Sequence, residues 1–307
     1  MANGGPRGRQ SAASAPRFQA TFSLREEEDT QHELDRKQHK AATRPLHLQH
    51  EALRYGAPSA ANVHVRTGYV VSFDFRTRNA SWVLEHITKD SLYVTDDAVP
   101  ADRAKSAFTS DALTPEPFRV HPSVFHKSGY DKGHLAPARD MAASQQAMNE
   151  SFLMTNISPQ VGAGFNRGYW SRFEGFVRHV AGQFDGLYVV TGPLFLPTKH
   201  KKTGAFHVKY ALLGTPPDAV AVPTHFFKVV LGRKRDGSFA VAGFVLPNQP
   251  ISDKTDLRAF LTPVDVIEKY AGLLFFDKLS GVDMRDLCTE TKCALAKAAY
   301  RRAISDK

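Results

Sequence analysis

Two cysteines, Cys288 and Cys293, are all that the 307 residues contain. That scarcity excludes the disulfide framework on which many small secreted domains depend. The C-x4-C pair is open to two readings, one local disulfide or two free thiols, and no histidine stands near it to complete a zinc set. Long apolar runs are also missing: no stretch reaches 18 residues, so no membrane-spanning helix is expected. No apolar core follows Met1, which argues against a secretory signal. No repeat of 20 to 50 residues is present, which excludes solenoids and propellers.

What is there is enough for one substantial core, with 42% hydrophobic residues over a length that accommodates one large or two small domains. The formal net charge is +9 and the isoelectric point is about 9.5. Such a balance favours a polyanionic partner, either nucleic acid or an anionic membrane surface. The first 54 residues hold nine Lys/Arg and seven Asp/Glu, so +7 resides in the rest of the chain.

Residues 1–52 read as a tail, disordered or loosely helical, rich in Ala, Ser, Gly, Arg and Gln with little apolar periodicity. Arg7, Arg9, Arg17 and Arg25 precede the first acid, Glu26, a composition compatible with a mitochondrial transit peptide and equally with a solvated tail. Residues 53–307 read as one domain. Tyr69–Phe75 and Trp82–Ile87 predict a hairpin turned by Arg76–Ala80. Further strands are expected at Leu187–Thr191, at His207–Leu213, and at Thr224–Leu231 paired with Phe239–Leu246 around Arg233–Gly237. Phe165–Val180 has apolar positions recurring at three and four, the pattern of a helix. A second helix is expected from an N-cap Thr262 and first-turn Pro263 to Gly272. Antiparallel strands with inserted helices predict an α+β fold.

The chemistry concentrates between residues 128 and 174. In SGYDKGHLAP, Gly129 and Gly133 bracket Tyr130, Asp131 and Lys132, predicting an extended strand that presents His134 at its end. About twenty residues on, MTNISPQ carries Asn156, and the following segment carries Asn166 and Glu174, eight apart and so on one face of a continuous helix. A neutral imidazole can take a proton from water near pH 7. An amide oxygen, waters and a phosphate can complete an octahedron around Mg²⁺. Together these predict metal-assisted phosphodiester cleavage.

The series YDKGHLAPARDM, SFLMTNISPQ, FNRGYWSRFE and YVVTGPLFLP, continued by VPTHFFKVVL, FVLPNQPIS and LCTETKC, resembles the DNA/RNA non-specific endonuclease family of ββα-metal nucleases. Within it the resemblance is to the mitochondrial endonuclease G branch, fungal members included, and it covers essentially the whole core from about Leu53. It implies a central antiparallel sheet flanked by helices. It also implies a Mg²⁺- or Mn²⁺-dependent endonuclease acting on double- and single-stranded DNA and on RNA, leaving 5′-phosphates, and commonly a mitochondrial homodimer. Carried over by motif, His134 is the general base, Asn166 the metal ligand, Asn156 an ordering residue and Glu174 the holder of a metal-bound water. Arg103 is the candidate phosphate-binding arginine, with Lys105 as competitor, and Arg178 is a candidate partner of Glu174 at i,i+4.

One position departs from the family, whose motif reads Asp-Arg-Gly-His where this chain has Asp131-Lys132-Gly133-His134. Arginine offers phosphate a planar fork and lysine a hydrated point charge, so the expectation is an active but slower nuclease. Two other readings follow from the same residues. One is a non-catalytic nucleic-acid-binding protein on a nuclease scaffold, motivated by Lys132. The other is a phosphodiesterase of small molecules, disfavoured by the basic core and by loops such as Lys199–Lys202.

Overall fold

The computed structural model describes residue 1, residues 50–92 and residues 100–295. Apart from Met1 and the residues from His50 on, the expected tail and its leader-like composition lie outside the described residues. A short helical turn, Glu51–Tyr55, buries Ala52 and Leu53.

Seven strands form the central sheet: β1 (Val63–Val65), β2 (Tyr69–Asp74), β3 (Asn79–Ile87), β6 (Gly186–Leu194), β11 (His225–Arg233), β12 (Phe239–Pro247) and β13 (Met284–Asp286), adjacent in that order. Every pairing is antiparallel except β12 with β13. The β2–β3 hairpin forms as expected. Its turn is held by the Asp74 carboxylate, which accepts from Arg76 N at 2.9 Å and from Thr77 Oγ1 at 2.6 Å. The β11–β12 hairpin also forms, with Gly237 at φ +84° in its turn.

Alternation along the strands builds a core on each face of the sheet. On β11, Phe226 and Val230 point to one face, and Phe227, Val229 and Leu231 to the other. The first face packs under the helix Ser171–Ala181, whose buried Phe173, Phe176, Val177 and Val180 recur at three and four. The second is covered by Glu51–Tyr55, the helix Val264–Ala271 and the segment around Phe275. Among the described residues no helix is long and apolar enough to cross a membrane.

Three expectations need correction. The single helix over Phe165–Val180 is two pieces: a wide-turned segment Gly162–Trp170, non-helical at Ala163, Gly164 and Gly168 (φ −127°, ψ −105°), then Ser171–Ala181. The strand over His207–Leu213 divides into β8 (Phe206–His207), paired with β7 (Thr198–Lys199), and β9 (Leu212–Leu213), paired with β10 (Val220–Ala221). Neither pair joins the central sheet. The helix expected from Thr262 starts one residue later, with Pro263 at its N-cap; it does stop at Gly272, in the left-handed region at φ +66°. Of the two readings left open for the cysteines, the structure takes the first: Cys288 and Cys293 are bonded to each other.

Candidate active site

His134 ends strand β4 (Tyr130–His134), which pairs antiparallel with β5 (Ile157–Val161) in a two-stranded ribbon outside the central sheet. Gly133 is required there by its neighbour: a Cβ on it would lie 2.2 Å from the side chain of buried Gln160. Alternation directs Lys132 and His134 to the same face of the ribbon.

On that face two aromatic rings assemble the polar groups. Phe108 and Phe152 contact each other at 4.8 Å between centroids. The His134 imidazole packs against both, edge-on to Phe152 at 4.8 Å and tilted to Phe108 at 5.5 Å. The Arg103 guanidinium carbon lies 5.1 Å from the Phe152 centroid, and Lys132 Nζ lies 5.1 Å from that of Phe108 and 5.9 Å from that of Phe125. A cation over a ring face is held by the ring quadrupole without spending the charge on a counter-ion. The turn carrying Arg103 is itself pinned to the helix Gln145–Ser151: Asp102 N donates to Gln145 Oε1 at 2.7 Å, and Ser106 Oγ to Asn149 Oδ1 at 2.7 Å. Of the two upstream candidates, Arg103 is the one brought to His134. Lys105 is exposed and makes no hydrogen bond, ion pair or ring contact with these groups among the described residues.

His134 Nε2 is buried and has no hydrogen-bond partner among the described residues. Burial, reinforced by the neighbouring Arg103 cation, pushes the imidazole pKa down to about 3. The ring is therefore neutral at physiological pH and able to accept a proton.

Asn156 acts one step behind. It is fully buried, and its amide joins backbone on both sides of the turn that follows His134. Its Oδ1 accepts from Ala136 N at 2.9 Å, while Nδ2 donates to Ala136 O at 2.9 Å and Ser151 O at 2.8 Å. Those three bonds tie Ala136, two residues after His134, to the end of the helix Gln145–Ser151.

Asn166 is tied to the same ribbon through Asp131, to which the sequence reading assigned no role. Asn166 Nδ2 donates to Asp131 Oδ2 at 2.9 Å, and Arg167 pairs with the other carboxylate oxygen. Gly162 leaves room for this pair, since a Cβ there would lie 2.7 Å from Asp131 Oδ1. With its NH2 turned to Asp131, the Asn166 amide directs its oxygen away from that carboxylate; a hard cation takes such an oxygen. Among the described residues no group of three His, Cys, Asp or Glu is disposed to hold a metal. No hydrogen bond or ring contact links Asn166 directly to His134 among those residues.

Glu174 lies in the first turn of Ser171–Ala181, beyond the Gly168 break, so the one-face relation expected from an unbroken helix does not apply. Its charge is felt by Glu85, Lys228 and Arg178. Arg178, expected to support Glu174, also donates to Asp140 Oδ1 at 2.6 Å. It thereby ties the helix to the turn Ala138–Met141, which follows His134. Lys228 sits in the apolar row of β11, 1% exposed, where Nζ donates to Thr191 Oγ1 at 2.7 Å and lies 5.0 Å from the Trp170 ring. Burial lowers its pKa, against the pull of Glu85. Glu85, also buried, is pushed well above the usual carboxylate range by desolvation and then by Asp140. Local sequence patterns gave no sign that Phe108 and Phe152 would meet at His134, or that Lys228 and Glu85 would be buried, because each reads as an ordinary member of its own segment.

The family described as DNA/RNA non-specific endonuclease matches residues 48–281. A nuclease of Syncephalastrum racemosum is 45% identical over 247 residues, 79% of this chain and 76% of its own. The mitochondrial nuclease of Saccharomyces cerevisiae is 40% identical over 256 residues, 81% of this chain and 76% of its own. Among solved structures, EndoG in an inhibitory complex with EndoGI superposes with a TM-score of 0.70 at 39% identity, covering 74% of this chain and 91% of that one.

Proposed function

The chain belongs to the DNA/RNA non-specific endonuclease family and has the ββα-metal nuclease fold; from that premise we propose that it hydrolyses phosphodiester bonds of both DNA and RNA to 5′-phosphate ends, with His134 as general base. The observation that carries this reading is the neutral, ring-packed imidazole of His134 sharing Phe152 with the Arg103 guanidinium.

In this mechanism the His134 imidazole takes a proton from a water molecule as that water attacks phosphorus. The P–O3′ bond breaks, the 5′-phosphate stays with the downstream strand, and the departing O3′ is protonated from solvent. Arg103 and Lys132, on the same face, stabilise the charge that builds on the phosphate oxygens. Asn166 is the residue that would hold Mg²⁺, or Mn²⁺ in its place, through the amide oxygen left by its bond to Asp131. The chemistry that such a cation supplies is charge neutralisation on the phosphate. Glu174 orders water at the site, and Arg178 holds the turn after His134 in place through Asp140. Phosphate-directed groups do not encode base sequence, so the reading is of a nuclease without sequence specificity. Because relatives carry mitochondrial names, the same reading places the protein in mitochondria; a homodimer is what the family resemblance implies.

Incubation of the purified full chain with supercoiled plasmid and with single-stranded RNA, in Mg²⁺, Mn²⁺ or EDTA, tests the proposal beside His134→Ala. The expected outcome is metal-dependent loss of both substrates, slowed about 10²- to 10⁴-fold in the variant. Retained binding with no cleavage under any metal would instead favour the non-catalytic scaffold.

A further inference from the structure

From Gly186 to Pro217 the chain contains no acidic residue, yet it contains Lys199, Lys201, Lys202 and Lys209. The central part of this segment is the β7–β8 hairpin, paired Thr198 with His207 and Lys199 with Phe206. Its turn is closed by His200 N donating to Ala205 O at 2.8 Å and by Gly204 N donating to His200 O at 2.9 Å. Gly204, at φ +70°, adopts the left-handed conformation there. All four lysines are exposed, and none has an ion pair among the described residues.

Large apolar side chains are exposed beside them: Phe206 at 69%, Val208 at 51% and Leu212 at 48%. A single exposed apolar residue is ordinary. Here a ring stands directly across the ladder from a lysine, on the same face, with Lys199 Nζ 6.0 Å from the Phe206 centroid. Cation and aromatic side by side on an exposed ribbon is the combination that holds single-stranded nucleic acid: the cation takes the phosphate and the ring takes the base.

The root of the hairpin is hydrogen-bonded to the strand that partners β4. The arm leaves the sheet at Leu194 and returns at His225, which pair with each other. Leu196 N donates to Thr224 Oγ1 at 2.9 Å, and Asn248 N to Thr224 O at 2.9 Å. Asn248 in turn accepts from Val161 N at 2.9 Å and donates to Pro159 O at 3.0 Å. Val161 ends β5, the partner of the His134 strand, and Asn166 follows five residues later. The root of the hairpin is therefore bonded to the Tyr130–Val161 end of the ribbon, beside Asp131 and the segment carrying Asn166, while His134 lies at the other end, opposite Ile157.

We propose that the β7–β8 hairpin is a binding arm for single-stranded DNA or RNA, in which Phe206 stacks on an unpaired base and Lys199, Lys201 and Lys202 contact phosphates. The proposal rests on the nuclease reading for its biological sense, and its test reads binding separately from cleavage.

Anisotropy of fluorescein-labelled oligothymidine and oligouridine is measured on the full chain in EDTA over a salt series, with a duplex of equal length as reference. Phe206→Ala and Phe206→Leu are expected to weaken single-strand binding about 5- to 100-fold, and Phe206→Tyr to retain it. The triple variant Lys199→Ala/Lys201→Ala/Lys202→Ala is expected to flatten the slope of log affinity against log salt by up to about 2. Wild-type affinity in Phe206→Leu, or equal weakening of duplex and single strand by Phe206→Ala, overturns the stacking arm. So does a triple variant that loses only its binding to phosphatidylcholine–phosphatidylserine vesicles. Cleavage of the same oligonucleotides in Mg²⁺ is scored in parallel. A wild-type chain that cleaves nothing, with these binding losses in the variants, overturns the nuclease reading and leaves the arm standing. A chain that cleaves while Phe206→Leu and the triple variant bind unchanged overturns the arm alone.

Discussion

The imidazole of His134 meets the ring of Phe152 edge-on, with centroids 4.8 Å apart, and the opposite demand on that ring comes from Arg103, whose guanidinium lies 5.1 Å from the same centroid. One aromatic side chain thus packs against both the imidazole and the guanidinium that the proposed mechanism uses. It also helps bury the imidazole, and burial is the first cause of its depressed pKa.

Phe152→Leu is expected to lower kcat roughly ten- to a hundredfold through loss of positioning, with Phe152→Tyr close to wild type. The sign of the accompanying pH effect is fixed. A pKa depressed to about 3 keeps His134 neutral through the acid range, and weaker burial raises it, so the acid limb of the kcat/KM profile moves to higher pH. A pH–rate profile that stays in place while the rate falls would assign Phe152 a purely structural role.

Lys132→Arg is expected to accelerate cleavage. A planar fork replaces a point charge beside Phe108, and one improved phosphate contact is worth on the order of 1 to 3 kcal/mol, about 5- to 150-fold in rate. Steady-state kinetics on plasmid decide the matter: an unchanged or slower variant removes Lys132 from the phosphate clamp.

Asn156→Ala should act on stability as well as on rate. It strands the buried Ala136 N–H and the Ala136 and Ser151 carbonyls that the amide now serves, at a cost of about 3 kcal/mol. Urea unfolding measures this as a lower midpoint with an unchanged slope.

Acid should unlock a second, separate contact. Burial by itself would raise the Asp111 pKa. His64, Arg66 and the Thr155 hydroxyl, which donates at 2.7 Å, outweigh that and hold it below the usual carboxylate range. Stability from such a depressed group is complete above the unfolded carboxylate pKa, about pH 4, and is lost as pH falls below it. Asp111→Asn is therefore expected to lower the melting temperature at pH 7 and to flatten its decline below about pH 4, as read by thermal unfolding across pH.

The fold class, the β2–β3 and β11–β12 hairpins and the strand that ends in His134 were legible in the order of residues alone. These are local matters: alternation, turn residues and glycine spacing act between residues close in the chain, so they are written in its order. The sequence missed the break at Gly168, since glycine at one helical position does not announce how far its backbone will depart. It left the cysteine pair and the choice between Arg103 and Lys105 open. Only packing bonds the cysteines to each other, sets Arg103 rather than Lys105 on the ring that His134 also touches, gathers His134, Arg103 and Lys132 on Phe108 and Phe152, and buries Lys228 and Glu85 on one face of the sheet. The physical reason is range. Phe108 and Phe152 are 44 residues apart, each an ordinary apolar residue in its own segment, and only packing brings the two rings together.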